Sequence, residues 1–161
     1  MYANIVSKIK QHPKLLKYLI YFTKYAHMPI VLAYAVGIAY TLVIKPSFIL
    51  KYIFVPATLL LIVELIRHLF YIPRPFLKEH FEPLVEHETS SSFPSKHTAS
   101  AFMISLTIYQ LMPAIGIILG VLSILIAISR VLCGIHRFSD IIFGFLLSLI
   151  LSTIYYLGNL I

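Results

Sequence analysis

The chain has a single cysteine, Cys133, and no tryptophan in its 161 residues. One thiol excludes an intrachain disulfide and says nothing about redox compartment. Charge is also scarce: 12% of the residues are charged against 60% hydrophobic, with a mean hydropathy of +0.91. That balance excludes an ordinary soluble domain. Acids are the rarer sign, six Asp and Glu against 13 Lys and Arg, for a net charge of +7. No basic stripe with interleaved aromatics lies on a soluble face, so no nucleic-acid partner is expected and anionic lipid is the simpler one. Repeats and low-complexity tracts are absent too. The early lysines run into Leu15–Ala26 with no small-residue cleavage pattern, so no cleavable signal peptide is expected.

What fills the chain is apolar sequence of membrane-spanning length. A bilayer core of about 30 Å takes roughly 20 apolar residues per helix. Pro29–Ile44, Tyr52–Leu69, Thr98–Leu111, Ala114–Ile128 and Ile141–Ile161 read as helices, the third and fourth forming a hairpin around Pro113. Residues 1–27 are lysine-rich and amphipathic, with Leu15–Ala26 either flat on the membrane or a short crossing. The expected architecture is one all-α integral-membrane domain over residues 1–161, a polytopic bundle of about six helices. Six crossings place Lys8, Lys10 and Lys14 inside and the opposite face outside, as the positive-inside rule favours. The 11 Tyr and 11 Phe read as interfacial belts and packing.

Three polar islands interrupt this background, and the hairpin returns the third to the membrane face of the other two, giving one site at one face. The first holds Arg67 and Arg74, within the polar region 67–97. Pro73 ends the helix, so Arg74 enters from an extended segment, and two guanidiniums clamp phosphate oxygens well. The alternative is a pair of arginines snorkelling to headgroups. In the second, Ser95 reads as an N-cap with Lys96, His97 and Thr98 opening a helix. Free amides at such an end cradle anions, and His97 is placed to protonate a leaving oxygen. An ordinary cap beside an interfacial histidine has the same pattern. In the third, His136 and Asp140 stand at i and i+4, one helix face, where the carboxylate fixes the imidazole tautomer and leaves the other nitrogen as a nucleophile. Arg130 is placed to stabilise charge on a transferring phosphoryl group. Such His–Asp pairs also occur as purely structural contacts.

Together the islands resemble the type 2 phosphatidic acid phosphatase superfamily of membrane lipid phosphatases. The family pattern is Lys-x6-Arg-Pro, Pro-Ser-Gly-His and Ser-Arg-x5-His-x3-Asp. This chain reads Arg67-x6-Arg74-Pro75, Pro94-Ser95-Lys96-His97 and Ser129-Arg130-x5-His136-x3-Asp140. The resemblance implies that His136 attacks phosphorus to form a phosphohistidine, oriented by Asp140, and that His97 protonates the leaving group and later activates water. Arg67, Arg74, Ser95, Lys96 and Arg130 then hold phosphate oxygens, with no metal and no cofactor. It also implies an active site facing outward from the inner membrane. Arg67 departs from the family lysine and Lys96 from the family glycine. The surrounding sequence is similar to the undecaprenyl-diphosphate phosphatase branch, so the expected partner is a polyprenyl diphosphate or phospholipid; phosphatidylglycerophosphate, phosphatidate and lipid A are the other substrates.

Other readings are weaker. His80, Glu82, Glu86, His87 and Glu88 include metal-ligand types but lack a spacing such as His-Glu-x-x-His, so a solvated acidic loop or a lid over the site is expected. Glu64 reads as the intramembrane partner of Arg67, Arg137 as a headgroup or loop contact, and Ser123 and Thr107 as helix-interface residues. A transporter or assembly subunit predicts charges scattered at the midplane, whereas these cluster at helix ends. A soluble vanadate-dependent haloperoxidase shares such a pocket but not this hydropathy. The sequence assigns no oligomeric state.

Overall fold

The computed structural model describes residues 1–157, and among them every regular element is helical. The elements are α1 (Tyr2–Lys10), α2 (Pro13–Tyr25), α3 (Met28–Ile44), a 3-10 turn (Pro46–Phe48), α4 (Ile49–Leu69), α5 (Pro75–Lys78), α6 (Lys96–Tyr109), α7 (Pro113–Leu132) and α8 (Phe138–Leu157). The expected last four residues of the final helix, 158–161, lie outside the described residues. Prolines open α2, α5 and α7 at their first positions, where a missing N–H costs nothing and a fixed φ helps. Four helical runs are long and apolar enough to cross a membrane: Pro13–Ile44, Pro46–Leu69, Pro113–Leu132 and Phe138–Tyr156.

α6 is the helix the others surround. It has 14 residues, about 21 Å at 1.5 Å per residue, and buries Ala99, Ala101, Phe102, Met103 and Ile108 against α4, α7 and α8. A helix shielded on all sides by protein need not present a lipid-facing apolar surface, which accounts for its serines and threonines. Ser105 and Ser123 share a hydrogen bond of 2.9 Å across α6 and α7, and Tyr156 donates to Thr107 at 3.1 Å across α8 and α6. Both expected interface residues therefore bridge helices. In α4, Pro56 lacks the N–H that would bond the Tyr52 carbonyl; the Tyr34 hydroxyl of α3 donates to that carbonyl instead, at 3.0 Å.

The N-terminal region departs from the expected six crossings. Residues 26 and 27 keep right-handed helical angles, so α2 runs on into α3 with only a loosened turn and the two form one 32-residue stretch. At about 48 Å this exceeds a bilayer core. Its N-terminal half does not cross separately; it stays at the level where α7 ends. There Thr23 contacts Cys133, and Val6, Ile9 and Leu19 pack with Leu84, Cys133 and Ile135. The Glu79 carboxylate accepts from the amides of Tyr2 (3.4 Å) and Ala3 (3.0 Å), capping α1 from a distant loop. The membrane-length runs hold α3, α4, α7 and α8, and the shorter α6 is packed among them, so the chain passes between the two ends of the bundle five times. The N-terminal lysines, the polar loop 70–95 and the turn 133–137 share one face.

Candidate active site

All three islands meet at that face, around a cavity of about 690 Å³ lined by Arg67, Arg74, His87, His97, Arg130 and His136 among others. His136 is buried (1% exposed) but not helical: it sits in the turn between α7 and α8. The expected helical i, i+4 pairing is therefore replaced by a turn, and Asp140 lies in the first turn of α8. Gly134 makes that turn with φ +75, and a Cβ there would come within 2.6 Å of the Phe81 ring. Asp140 accepts from the Arg137 amide at 2.8 Å, which closes the start of α8 onto that turn.

The contact between the two residues survives this change of setting. Asp140 Oδ2 lies 3.5 Å from His136 Nδ1. Ser92 joins them: its hydroxyl donates to Asp140 Oδ2 at 2.5 Å and lies 3.4 Å from His136 Nδ1. A hydroxyl that gives its proton to the carboxylate can only accept from the ring, so Nδ1 carries the hydrogen and Nε2 keeps its lone pair. The other side of the ring agrees, because Arg74 Nη1 donates to Nε2 at 3.3 Å. Burial foremost, then the positive charges of Arg74 and Arg130, push the His136 pKa down to about 4 despite Asp140. The imidazole is thus neutral at pH 7.

The arginines are held as a set. Arg67 donates to the Pro94 carbonyl and to Ser90 Oγ, both at 3.1 Å. Arg74, 1% exposed, comes from the extended segment after α4, as expected, and donates to the carbonyls of Ser90 (3.2 Å) and Ile135 (3.1 Å). Burial lowers its pKa to about 10, which leaves it a cation at pH 7. Arg130 donates to the Thr23 carbonyl at 3.2 Å, while its Nε is buried without a partner. Ser95 caps α6 by accepting from the Thr98 amide at 3.4 Å, and its own amide donates to the Asp140 carbonyl at 3.1 Å. The cap therefore ties α6 to α8.

One expected role needs correction. Glu64 pairs with Lys96, not with Arg67, because Arg67 turns into the loop toward Ser90 and Pro94. Lys96 still lines the cavity, with its charge balanced by that carboxylate. Arg137 donates to the Pro73 carbonyl at 2.8 Å, the loop contact expected of it. Among the described residues no three of the His, Cys, Asp and Glu side chains gather as a metal site. Ser90, Ser92 and His87 were missed as site residues. The serines lie in a polar run that reads as solvated loop, and only contacts more than 15 residues distant reveal them.

These features define a helical membrane protein with a cation-lined cavity at one face and four histidines on its wall. The chain belongs to the PAP2 superfamily, whose model matches residues 48–159. It is 30% identical over 97 residues to undecaprenyl-diphosphatase BcrC of Bacillus subtilis, covering 60% of this chain and 50% of that protein. It is 37% identical over 86 residues to phosphatidylglycerophosphatase B of the same organism, covering 47% and 42%. The matches thus span about half the length of these relatives or less. Two crystal structures share the fold. One is a PAP2-type phosphatidylglycerolphosphate phosphatase from Bacillus subtilis (TM-score 0.70, 24% identity, 98% of this chain and 84% of that one). The other is LpxE from Aquifex aeolicus (TM-score 0.75, 22% identity, 96% and 92%).

Proposed function

We propose that the protein hydrolyses a phosphate ester or anhydride on a membrane lipid, without a metal, through a phosphohistidine at His136. The observation that carries this reading is the neutral, Asp140-linked imidazole whose Nε2 meets Arg74 at a cavity also lined by Arg67 and Arg130. In the first step Nε2 forms a bond to phosphorus, the bond to the leaving oxygen breaks, and His97 gives that oxygen a proton. In the second, water attacks the phosphohistidine while His97 takes its proton, releasing inorganic phosphate. Arg67, Arg74 and Arg130 balance the charge on the equatorial oxygens throughout, with Lys96 on the adjoining wall; the Ser95 hydroxyl is buried against Thr98 and serves the start of α6 instead of the cavity.

Undecaprenyl diphosphate is the proposed substrate, with undecaprenyl phosphate as leaving group. Similarity to the Bacillus diphosphatase and the motif context support it. The 37% identity to phosphatidylglycerophosphatase B favours phosphatidylglycerophosphate as the second reading. The site is proposed to face outward from the inner membrane.

Purified protein in detergent, with EDTA present, is expected to release phosphate from undecaprenyl diphosphate faster than from phosphatidylglycerophosphate, phosphatidate or lipid A. Orthovanadate, which mimics the pentacoordinate transition state, should inhibit it. His136→Ala should abolish release; turnover surviving that change would sink the proposed nucleophile.

A further inference from the structure

A third histidine stands beside the two already assigned. His87 comes from the acidic loop between α5 and α6, outside all three motifs, yet its ring lines the cavity. Its centroid lies 6.2 Å from that of His97 and 6.2 Å from that of His136, edge-on to both at 80° and 82°. Burial and the nearby Arg74 charge bring its pKa down to about 3, so the ring is neutral. Its Nδ1 is buried and has no hydrogen-bond partner. An unpaired buried ring nitrogen is destabilising. It persists here in a cavity walled by Arg67, Arg74 and Arg130, whose natural occupant is an anion.

We propose that His87, whose Nδ1 no hydrogen bond holds in its buried position, turns its ring about the Cβ–Cγ bond when substrate enters and becomes a substrate-contacting residue, donating from Nδ1 to a non-bridging oxygen of the phosphoryl group flanked by His97 and His136. The inference rests on the phosphatase reading above. His87 transfers no proton in this role: it is a neutral donor, complementing the cationic arginines with a directed bond. Its loop position makes the contact adjustable, since Glu86 and Glu88 on either side also line the cavity mouth.

The test uses the whole purified protein in detergent, with undecaprenyl diphosphate as substrate and orthovanadate as the probe of the phosphoryl pocket. His87→Ala should lower kcat/KM about tenfold, a loss of about 1.4 kcal/mol, and weaken vanadate inhibition by a similar factor. His87→Asn places an amide nitrogen where Nδ1 stands and should keep both within about threefold of wild type. His87→Gln places its nitrogen nearer Nε2 and should behave like His87→Ala. The acidic and basic limbs of the kcat/KM profile should stay in place in His87→Asn, which a proton-transferring histidine would not allow. An active wild type, an inactive His136→Ala and an unimpaired His87→Ala overturn this inference alone, as does a His87→Asn no better than His87→Ala. A wild type that releases no phosphate overturns the phosphatase reading and this inference with it.

Discussion

Ser92 has one hydroxyl proton and two neighbours that compete for it. By giving it to Asp140, it becomes an acceptor for His136 Nδ1–H, and the imidazole is held by a carboxylate and a hydroxyl together. Direct contact at 3.5 Å is too long to orient the ring alone. Ser92→Ala should therefore lower kcat by about tenfold or more with KM within about threefold, the loss expected of one buried charge-assisted bond worth roughly 1.5–3 kcal/mol. Steady-state kinetics on the detergent-solubilised protein decide it; a raised KM at unchanged kcat would make Ser92 a substrate contact instead. The histidines and arginines that gather at the cavity were legible because their types and spacings are rare in apolar sequence. Ser92 was not, because a serine in a serine run acquires meaning only from Asp140, 48 positions away. Glu64 was misread for a related reason: local spacing offered Arg67, while the fold supplied Lys96.

Between helices, the site depends on how closely α8 approaches the start of α6. A Cβ on Gly144 would lie 3.1 Å from the Ser95 carbonyl oxygen and 3.3 Å from the Ala99 amide nitrogen. Ser148, one turn further along α8, donates to the Ala99 carbonyl at 2.8 Å and fixes the same contact. The two helices carry Ser95 and His97 on one side and Asp140 on the other, so their separation sets the spacing of His97 from the His136–Asp140 pair. Gly144→Val should force them apart, lowering kcat/KM more than tenfold and costing roughly 1–3 kcal/mol of overpacking. Gly144→Ala should be milder in both. Kinetics paired with thermal unfolding in detergent check this, and a Gly144→Val enzyme with wild-type turnover would refute it. Helix existence was readable from hydropathy, and so was the hairpin that returns Arg130 to His97. Lengths were less so: α7 spans Pro113–Leu132, longer than the expected Ala114–Ile128, because Ser129 and Arg130 are accommodated by protein contacts and not by lipid.

For the molecule as a whole, the placement of α1 and α2 decides what lies on each side of the membrane. An amphipathic helix such as Leu15–Ala26 has the composition of either a flat or a crossing segment, and sequence alone does not separate them. Contacts do: Thr23 with Cys133 and Arg130, and Glu79 with the start of α1, hold this region beside the site. Lys8 and Glu86 therefore share a face, while Lys45 lies at the far end of α3. The lysine argument for an outward site assumed six crossings and loses its premise. With five, Lys8, Lys10 and Lys14 lie on the site face, and the positive-inside rule pulls that face toward the cytoplasm. The outward site proposed above then rests on the family resemblance against that pull. Single cysteines introduced as Lys8→Cys, Glu86→Cys and Lys45→Cys, with Cys133 buried, resolve the matter in intact cells. An impermeant maleimide should label Lys8→Cys and Glu86→Cys and spare Lys45→Cys. The reverse pattern would turn the catalytic face inward, as the lysines alone demand. Labelling that separates Lys8→Cys from Glu86→Cys would show that α2 crosses after all and would overturn the five-helix arrangement.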